Sequence, residues 1–167
     1  MLDFELMKYC YGCGACVNAC PRSAIQMVQT TDGSCIPKID QAQCINCGKC
    51  DQVCIYQHTD RYHGIIAGEG CYAAYELDKV ERKESASGGM FFLLAKEVLR
   101  QDGYVCGCVW NEKMDAVHIV SNKTIDIERM RNSKYVQSDI GRCLAEIREL
   151  LKTGKPVMFC GTPCQCA

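Results

Sequence analysis

The chain lacks three features that would place it on a nucleic acid or in a membrane. Its formal net charge is only -1 over 167 residues, so no basic surface for nucleic acid or acidic lipid is indicated. No apolar run approaches the roughly 20 residues that are needed to span a bilayer. Residues 1–6, Met-Leu-Asp-Phe-Glu-Leu, are acidic and do not resemble a signal peptide. We therefore expect a cytoplasmic protein with no membrane span and no nucleic-acid partner.

Cysteine, in contrast, is abundant. The chain has 16 cysteines, and without an export signal this number indicates metal or redox chemistry in a reducing compartment. Eight of them form two runs with the same pattern, C-x2-C-x2-C-x3-C. This spacing is typical of bacterial proteins with two [4Fe–4S] clusters, in which the fourth cysteine of each run binds the other cluster. The two runs are Cys10, Cys13, Cys16 and Cys20, then Cys44, Cys47, Cys50 and Cys54.

The spacing predicts a crossed set of ligands for the two clusters. Glycines between the ligands, at Gly12, Gly14 and Gly48, would allow the chain to curl tightly around each cluster. We expect the fourth cysteine of each run to begin a short helical turn that points to the other cluster. The assignment is Cys10, Cys13, Cys16 and Cys54 for one cluster, and Cys44, Cys47, Cys50 and Cys20 for the second.

Three other interpretations of the cysteines stay open at this point. A zinc site usually takes two separated C-x2-C pairs, so the third cysteine of each run would be surplus. A disulfide framework suits a small secreted domain, but no signal peptide precedes these cysteines. A region that has lost one cluster is the third interpretation, and Ile55 replaces the proline that follows the last cysteine in many such motifs.

The residues between the two runs predict a β-hairpin. Residues 25–28 read as a strand, residues 31–34 as a turn and residues 35–39 as the returning strand. With this hairpin and all eight cysteines, residues 10–54 resemble a two-cluster ferredoxin domain. We therefore expect an α+β, ferredoxin-like domain with two [4Fe–4S] clusters over residues 1–66.

Residues 67–167 show strands alternating with amphipathic helices, which favours an α/β domain with at least part of a parallel sheet. The predicted helices are residues 90–99 and a second one that begins after Ser138 as its N-cap and ends near Lys152 and Gly154. Residues 76–83 are expected to form a charged turn. The predicted strands are residues 71–76, 103–110, 116–120 and 156–160, of which the second and third should pair with each other.

Two loops of this half are candidate binding sites. Ser87, Gly88 and Gly89 precede a helix, where free N–H groups and the helix dipole favour an anion, although an ordinary helix cap would have the same sequence. Gly161, Thr162 and Cys164 follow a strand, at the edge of an open α/β sheet where ligands bind.

Three motifs occur in a fixed order after the cysteine runs: Ser-Ala-Ser-Gly-Gly-Met-Phe at residues 85–91, Ser-Lys-Tyr-Val-Gln-Ser-Asp at 133–139 and Gly-Thr-Pro-Cys-Gln at 161–165. In this combination, from about Glu69 onward, the chain resembles the coenzyme F420 hydrogenase/dehydrogenase beta-subunit family. The resemblance implies an iron–sulfur flavoprotein with bound FAD, an oxidoreductase whose partner is a redox protein or a flavin or deazaflavin substrate.

Family members continue well beyond the Gly-Thr-Pro-Cys-Gln motif, whereas this chain stops at Ala167. We therefore expect a truncated chain whose α/β domain is incomplete, and oxidoreductase activity only in a longer protein. An alternative function is a non-catalytic ferredoxin-type carrier whose second domain docks a partner enzyme. Bound flavin would distinguish the oxidoreductase from the carrier. A third hypothesis is a sensor that signals oxygen by the loss of a cluster.

Overall fold

The computed structural model describes residues 9–58 and 72–166, which fall into two compact units. The first unit comprises residues 9–58 and 162–166, and the second comprises residues 72–161. The predicted boundary between residues 66 and 67 lies outside the described residues. No helix within the described ranges is long and apolar enough to cross a bilayer.

The first unit is built on a β-hairpin with one short helix before it and one after it. Strands β1 and β2 are antiparallel, with Ile25 opposite Ile39 at one end and Gln29 opposite Cys35 at the other. Gly33 has a φ of 87°, which the tight turn between the strands requires. The predicted hairpin is therefore confirmed. The elements are α1 (Ala15–Ala19), β1 (Ile25–Gln29), β2 (Cys35–Ile39) and α2 (Lys49–Gln52).

The two short helices carry the third cysteine of each run, not the fourth. Cys16 lies within α1 and Cys50 within α2, whereas Cys20 and Cys54 follow these helices. The prediction that the fourth cysteine begins a helical turn is confirmed at Cys54, whose carbonyl oxygen accepts hydrogen bonds from the N–H groups of Gln57 and His58 at 3.1 and 3.2 Å. At Cys20 it was wrong for a local reason. Cys20 has extended backbone, because the proline that follows it disfavours helical geometry at the preceding residue.

The second unit has a three-stranded sheet in the order β4-β3-β5. Strands β3 and β4 pair with each other, as predicted, and are antiparallel. Strands β3 and β5 are parallel, so part of the sheet is parallel as expected. The predicted helix at residues 90–99 is also confirmed. The elements are α3 (Lys79–Lys83), α4 (Met90–Arg100), β3 (Tyr104–Trp110), β4 (Ala116–Ser121), α5 (Thr124–Met130), α6 (Cys143–Lys152) and β5 (Val157–Phe159).

Helices cover both faces of this sheet. Val105 and Val109 of β3 pack with Phe92 of α4 and Ile127 of α5 in one core. Side chains alternate along a strand, so Cys106 points to the opposite face, where it packs in a second core with α6. The second unit is thus a mixed α/β region, in line with the predicted fold class.

The stretch before α4 differs from the prediction. Residues 72–76 form no strand, and Tyr72 is 89% exposed, because no neighbouring strand offers them a hydrogen-bonding ladder. The predicted charged turn is in fact helix α3. Its N-cap is Asp78, whose carboxylate accepts hydrogen bonds from the N–H groups of Val80 and Glu81.

Helix α6 begins later than predicted. Ser138 is buried and is not its N-cap, since the first helical residue is Cys143. Asp139 instead forms a parallel bridge with Val117, and its carbonyl accepts a hydrogen bond of 2.8 Å from the N–H of His118. Backbone that extends the sheet at this point cannot also begin the helix. The predicted end of the helix, near Lys152 and Gly154, is confirmed.

Besides α3, helix α5 and the last helix were not predicted. Helix α5 follows β4 and buries Ile127 and Met130, which are three residues apart and therefore lie on one helix face. The last helix, α7 (Pro163–Cys166), belongs to the first unit.

Candidate metal centres

The cysteine runs curl because of paired residues in left-handed backbone conformation. In the first run Gly12 and Gly14 have φ values of 67° and 73°, and in the second run Asn46 and Gly48 have φ values of 52° and 72°. The two runs therefore repeat the same conformation. Our sequence analysis named the three glycines and missed Asn46. The sequence did contain a signal for Asn46. Asparagine is one of the few residues that adopt the left-handed conformation readily, and Asn46 occupies the position that Gly12 has in the first run.

The curl of the first run creates a cavity lined by four thiols. Three come from this run, Cys10, Cys13 and Cys16, and the fourth is Cys54 from the end of the second run. Tyr11 and Tyr56 also line it, and their rings meet edge to face with centroids 5.8 Å apart. This first cavity thus brings together the four cysteines that the spacing predicted for one cluster.

The second cavity repeats this arrangement with the roles of the runs exchanged. It is lined by Cys44, Cys47 and Cys50 of the second run and by Cys20 of the first. Both cavities are lined by four thiols and by apolar side chains, so the same kind of occupant suits both. Cys47 is exposed to solvent, whereas Cys16 of the first cavity is buried.

One face of the hairpin covers both cavities. Met27 and Pro37, which are opposite each other in the β1–β2 ladder, line the first cavity. The opposed pair Ile25 and Ile39 lines the second cavity. These pairs lie on the same face because alternate residues of a strand point to the same side. The hairpin thus supplies an apolar wall that shields both sites from water.

Backbone N–H groups point at some of the sulfurs. The N–H of Gly12 donates to the Cys10 Sγ, and the N–H of Ala24 donates to the Cys20 Sγ, each at 3.3 Å. Such bonds stabilise negative charge on sulfur and, in iron–sulfur proteins, adjust the reduction potential.

Burial affects the acidity of the first cavity's thiols. It raises the pKa of Cys10 and Cys13, and it raises that of Cys16 to about 12. Hydrogen bonds from the N–H groups of Ala15 and Val17 oppose this effect at Cys13 and Cys16. A thiol with a raised pKa is protonated at neutral pH, so binding of a metal must displace its proton.

Within residues 9–58 and 72–166 the cysteines form neither a single-ion metal group nor a disulfide. No three Cys, His, Asp or Glu side chains within residues 9–58 and 72–166 come close enough together to hold a single metal ion. The thiolates of an iron–sulfur cube bind different irons, so they stand farther apart than the ligands of one zinc ion. Every cysteine in the described ranges is a free thiol.

Comparison with known proteins agrees with this arrangement. Residues 9–58 match the family model of the 4Fe-4S dicluster domain. This part of the chain is a dicluster ferredoxin domain. Such a domain carries two [4Fe–4S] clusters and transfers electrons through them, and the structure provides it with two cavities of four thiols each.

A curated relative supports the same conclusion. An uncharacterised polyferredoxin-like protein of Methanocaldococcus jannaschii is 31% identical over 89 residues, which cover 46% of this chain. The aligned part spans 52% of the relative, about half of its length. The dicluster domain ends within the first unit, and neither comparison names a flavin or a deazaflavin.

The candidate flavin residues fall in different units. Ser87, Gly88 and Gly89 belong to the second unit, as does Gly161, whereas Thr162 and Cys164 belong to the first, so neither unit contains the whole set. Packing within the chain already explains the two glycines before α4. A Cβ on Gly88 would come within 2.9 Å of the Ala74 carbonyl oxygen, and Gly89 is the N-cap with a φ of 80°.

Proposed function

We propose that this chain is a two-cluster electron carrier in which each cavity holds one [4Fe–4S] cluster through its four thiolates. The observation that carries the proposal is that each cavity takes its fourth thiol from the other cysteine run: Cys54 lines the first cavity and Cys20 lines the second. When bound, each cluster supplies a centre that takes up and returns one electron. A soluble redox protein is the partner that this chemistry requires.

The protein's own residues hold the sites in place and shield them. The left-handed residues Gly12 and Asn46 curl each run so that its first three thiols converge. The hairpin face closes the apolar side of both sites. The exposed Cys47 leaves the second site open to solvent at one corner, so we propose that a partner exchanges electrons there.

An anaerobic titration tests the carrier function. The purified chain should take up about two electrons, one for each cluster, and return them to an added acceptor protein. A Cys47→Ser variant addresses the proposed contact site, because it should alter the second cluster and slow exchange with the acceptor. A loaded chain that takes up no electrons would contradict the function.

The second candidate is electron transfer within a flavin-dependent oxidoreductase of the coenzyme F420 hydrogenase/dehydrogenase beta-subunit type. It is supported by the order of the three motifs at residues 85–91, 133–139 and 161–165. Helix α4 offers free N–H groups at its N-terminus after Gly88 and Gly89, a setting that suits an anionic group. The second unit would then bind flavin rather than dock a partner enzyme.

Flavin analysis separates the two candidates. The flavin-dependent function predicts FAD in the supernatant after acid treatment of the anaerobically purified chain, and a third redox centre in the titration. The carrier function predicts clusters without flavin and no turnover with a hydride donor. Absence of flavin from a chain that contains both clusters would leave the carrier as the function.

A further inference from the structure

The two cysteine runs are repeats, so the two cavities can be compared position by position. Cys10 of the first run corresponds to Cys44 of the second, and Cys20 corresponds to Cys54. Each cavity is lined by the residue that follows the first cysteine of its own run. Each is also lined by the residue two places after the fourth cysteine of the other run. At these two places the cavities differ in chemistry.

The first cavity has aromatic side chains at both places, Tyr11 and Tyr56. The Tyr56 ring meets the Tyr11 ring edge to face and stacks on the Tyr9 ring, in each case with the centroids 5.8 Å apart. Tyr9 does not line the cavity, so its ring packs on Tyr56 as a second layer. None of the described residues that line this cavity is charged. The first site therefore has an uncharged wall made partly of aromatic rings.

The second cavity has Ile45 and Arg22 at the same two places. Both residues are exposed, as is Cys47 of the same cavity. No acidic residue is among the described residues that line this cavity, so no carboxylate there offsets the positive charge of the Arg22 guanidinium. The second site therefore combines a cation with access to water.

Both differences act on the reduction potential in the same direction. The electron that a bound cluster takes up adds negative charge to its site, and a nearby cation or water stabilises that charge. The guanidinium of Arg22 is always protonated, so its charge is permanent. Backbone N–H groups also stabilise the added charge, but the two runs have the same backbone conformation, so this contribution largely cancels in the comparison. Reduction is thus favoured at the second site over the first.

We propose that Arg22 gives the second cluster the higher reduction potential of the two, so that the second cluster is reduced first. This inference rests on the ligand sets of the proposed function. In the first step one electron passes from a reduced partner protein to the second site, which leaves the partner oxidised by one electron. No proton is transferred and no bond breaks. A second electron then enters the first site from a partner of lower potential.

A redox titration of the full chain, purified without oxygen and followed by EPR, tests this proposal. Wild-type protein should show two midpoint potentials. Arg22→Gln should lower the higher midpoint and leave the lower one unchanged, because Arg22 lines the second cavity alone. The loss of one neighbouring charge should change the equilibrium constant for reduction of the second cluster by about three- to tenfold. For a one-electron centre this change is about 30 to 60 mV.

Three further variants complete the experiment. Lys38→Gln removes an equal charge from the same unit, but Lys38 is exposed on β2 and lines neither cavity, so both midpoints should stay at their wild-type values. Arg22→Lys keeps the positive charge and should keep the higher midpoint close to wild type. Tyr56→Arg places the charge at the equivalent position of the first site and should raise the lower midpoint.

Several results would overturn the proposal. One midpoint shared by both clusters of the wild-type protein would do so, as would a shift of the lower midpoint in Arg22→Gln or an equal shift in Lys38→Gln. Loss of iron from Arg22→Gln would also overturn it, because Arg22 would then be needed to hold the cluster rather than to set its potential. Wild-type protein without clusters, or with clusters that accept no electrons, would instead contradict the proposed function itself, which separates the two failures.

Discussion

Cys54 lines the same cavity as Cys16, although the two belong to different cysteine runs. The reciprocal position is held by Cys20, which completes the cavity of the second run. Each site therefore needs both ends of the dicluster domain, and neither can form from one run alone. Binding at the two cavities should join the hairpin, α1 and α2 into one cooperative unit.

Because each cavity takes its fourth thiol from the other run, replacing one fourth cysteine should remove the cluster of the other run. Cys54→Ala should remove the first cluster rather than the second, and leave about four irons out of about eight. The remaining cluster should be the one held by Cys44, Cys47, Cys50 and Cys20. EPR of the reduced variant would show a single, non-interacting centre.

Cys35→Ala is the matched control, because Cys35 is half-buried in β2 but lines neither cavity. It should keep both clusters. Loss of iron from Cys35→Ala equal to the loss from Cys54→Ala would mean that iron content follows general destabilisation, not ligation.

Removal of iron should unfold the first unit and leave the second unit folded. Within residues 9–58 the buried apolar cluster of the first unit consists of Cys16, Ile25 and Ile39, too few to offset the entropy of ordering so small a region. Hydrogen exchange of the apo-protein should show weak protection in residues 9–58 and retained protection in β3. Strong protection of residues 9–58 without iron would refute this expectation.

The inner face of the hairpin is the face that carries Ile25 and Ile39 and lines the cavities. It should control how long the second cluster is retained. Ile39→Ala removes part of the wall of the second cavity, and buried Ile→Ala changes cost about 2–5 kcal/mol. We expect iron transfer to a chelator to become more than about tenfold faster.

Ile36→Ala is the matched control for this effect. Ile36 is half-buried in the same strand, pairs with Val28 and lies on the outer face of the hairpin. Its release rate should stay close to wild type. Equal acceleration in both variants would show that the face of the hairpin does not matter.

The features that could be predicted from the sequence are those with a local cause. The ligand spacing, the hairpin turn at Gly33 and the amphipathic helix α4 each depend on residues that are neighbours in the chain. Helix α3 also had a local signal that we missed, the N-cap Asp78 before a charged helical stretch.

Two of the wrong predictions concern partners that are distant in the chain. Residues 71–76 look like a strand by their composition, yet nothing in their own sequence says whether a neighbouring strand is present. Ser138 looks like an N-cap, but the pairing of Asp139 with Val117 uses this backbone for the sheet.

Arg131 should be essential to the stability of the second unit. Its side chain is only 8% exposed, forms an ion pair with Glu128 at 3.0 Å and lies 4.0 Å above the Phe92 ring. It also donates to the Glu81 carbonyl oxygen at 2.7 Å. Hydrogen bonds of charged groups contribute about 1.5–3 kcal/mol, so Arg131→Ala should lower the free energy of unfolding by at least about 2 kcal/mol.

The single tryptophan, Trp110 in β3, allows this unfolding to be followed by fluorescence. Arg100→Ala is the control, because the Arg100 side chain is 73% exposed and its ion pair with Glu97 should contribute no more than about 1 kcal/mol. Similar losses in the two variants would contradict the assigned role of Arg131.

His118 should make the second unit sensitive to mild acid. Burial lowers its pKa, while its Nε2 is 3.1 Å from the Cys160 carbonyl oxygen. The folded state thus prefers the neutral ring, so stability present above the unfolded pKa of about 6.5 is lost as the pH falls below it. His118→Gln keeps a donor toward Cys160 and should flatten the dependence of Trp110-detected stability between about pH 7 and 5. An unchanged pH dependence in this variant would assign the effect to other groups.

The most direct test of the account is a combined count of iron and acid-labile sulfide, with EPR, on protein purified without oxygen. Two clusters held by crossed thiolates predict about eight irons and about eight sulfides per chain, with an EPR signal from two interacting reduced centres. One or two zinc ions per chain, or iron without sulfide, would contradict the central claim.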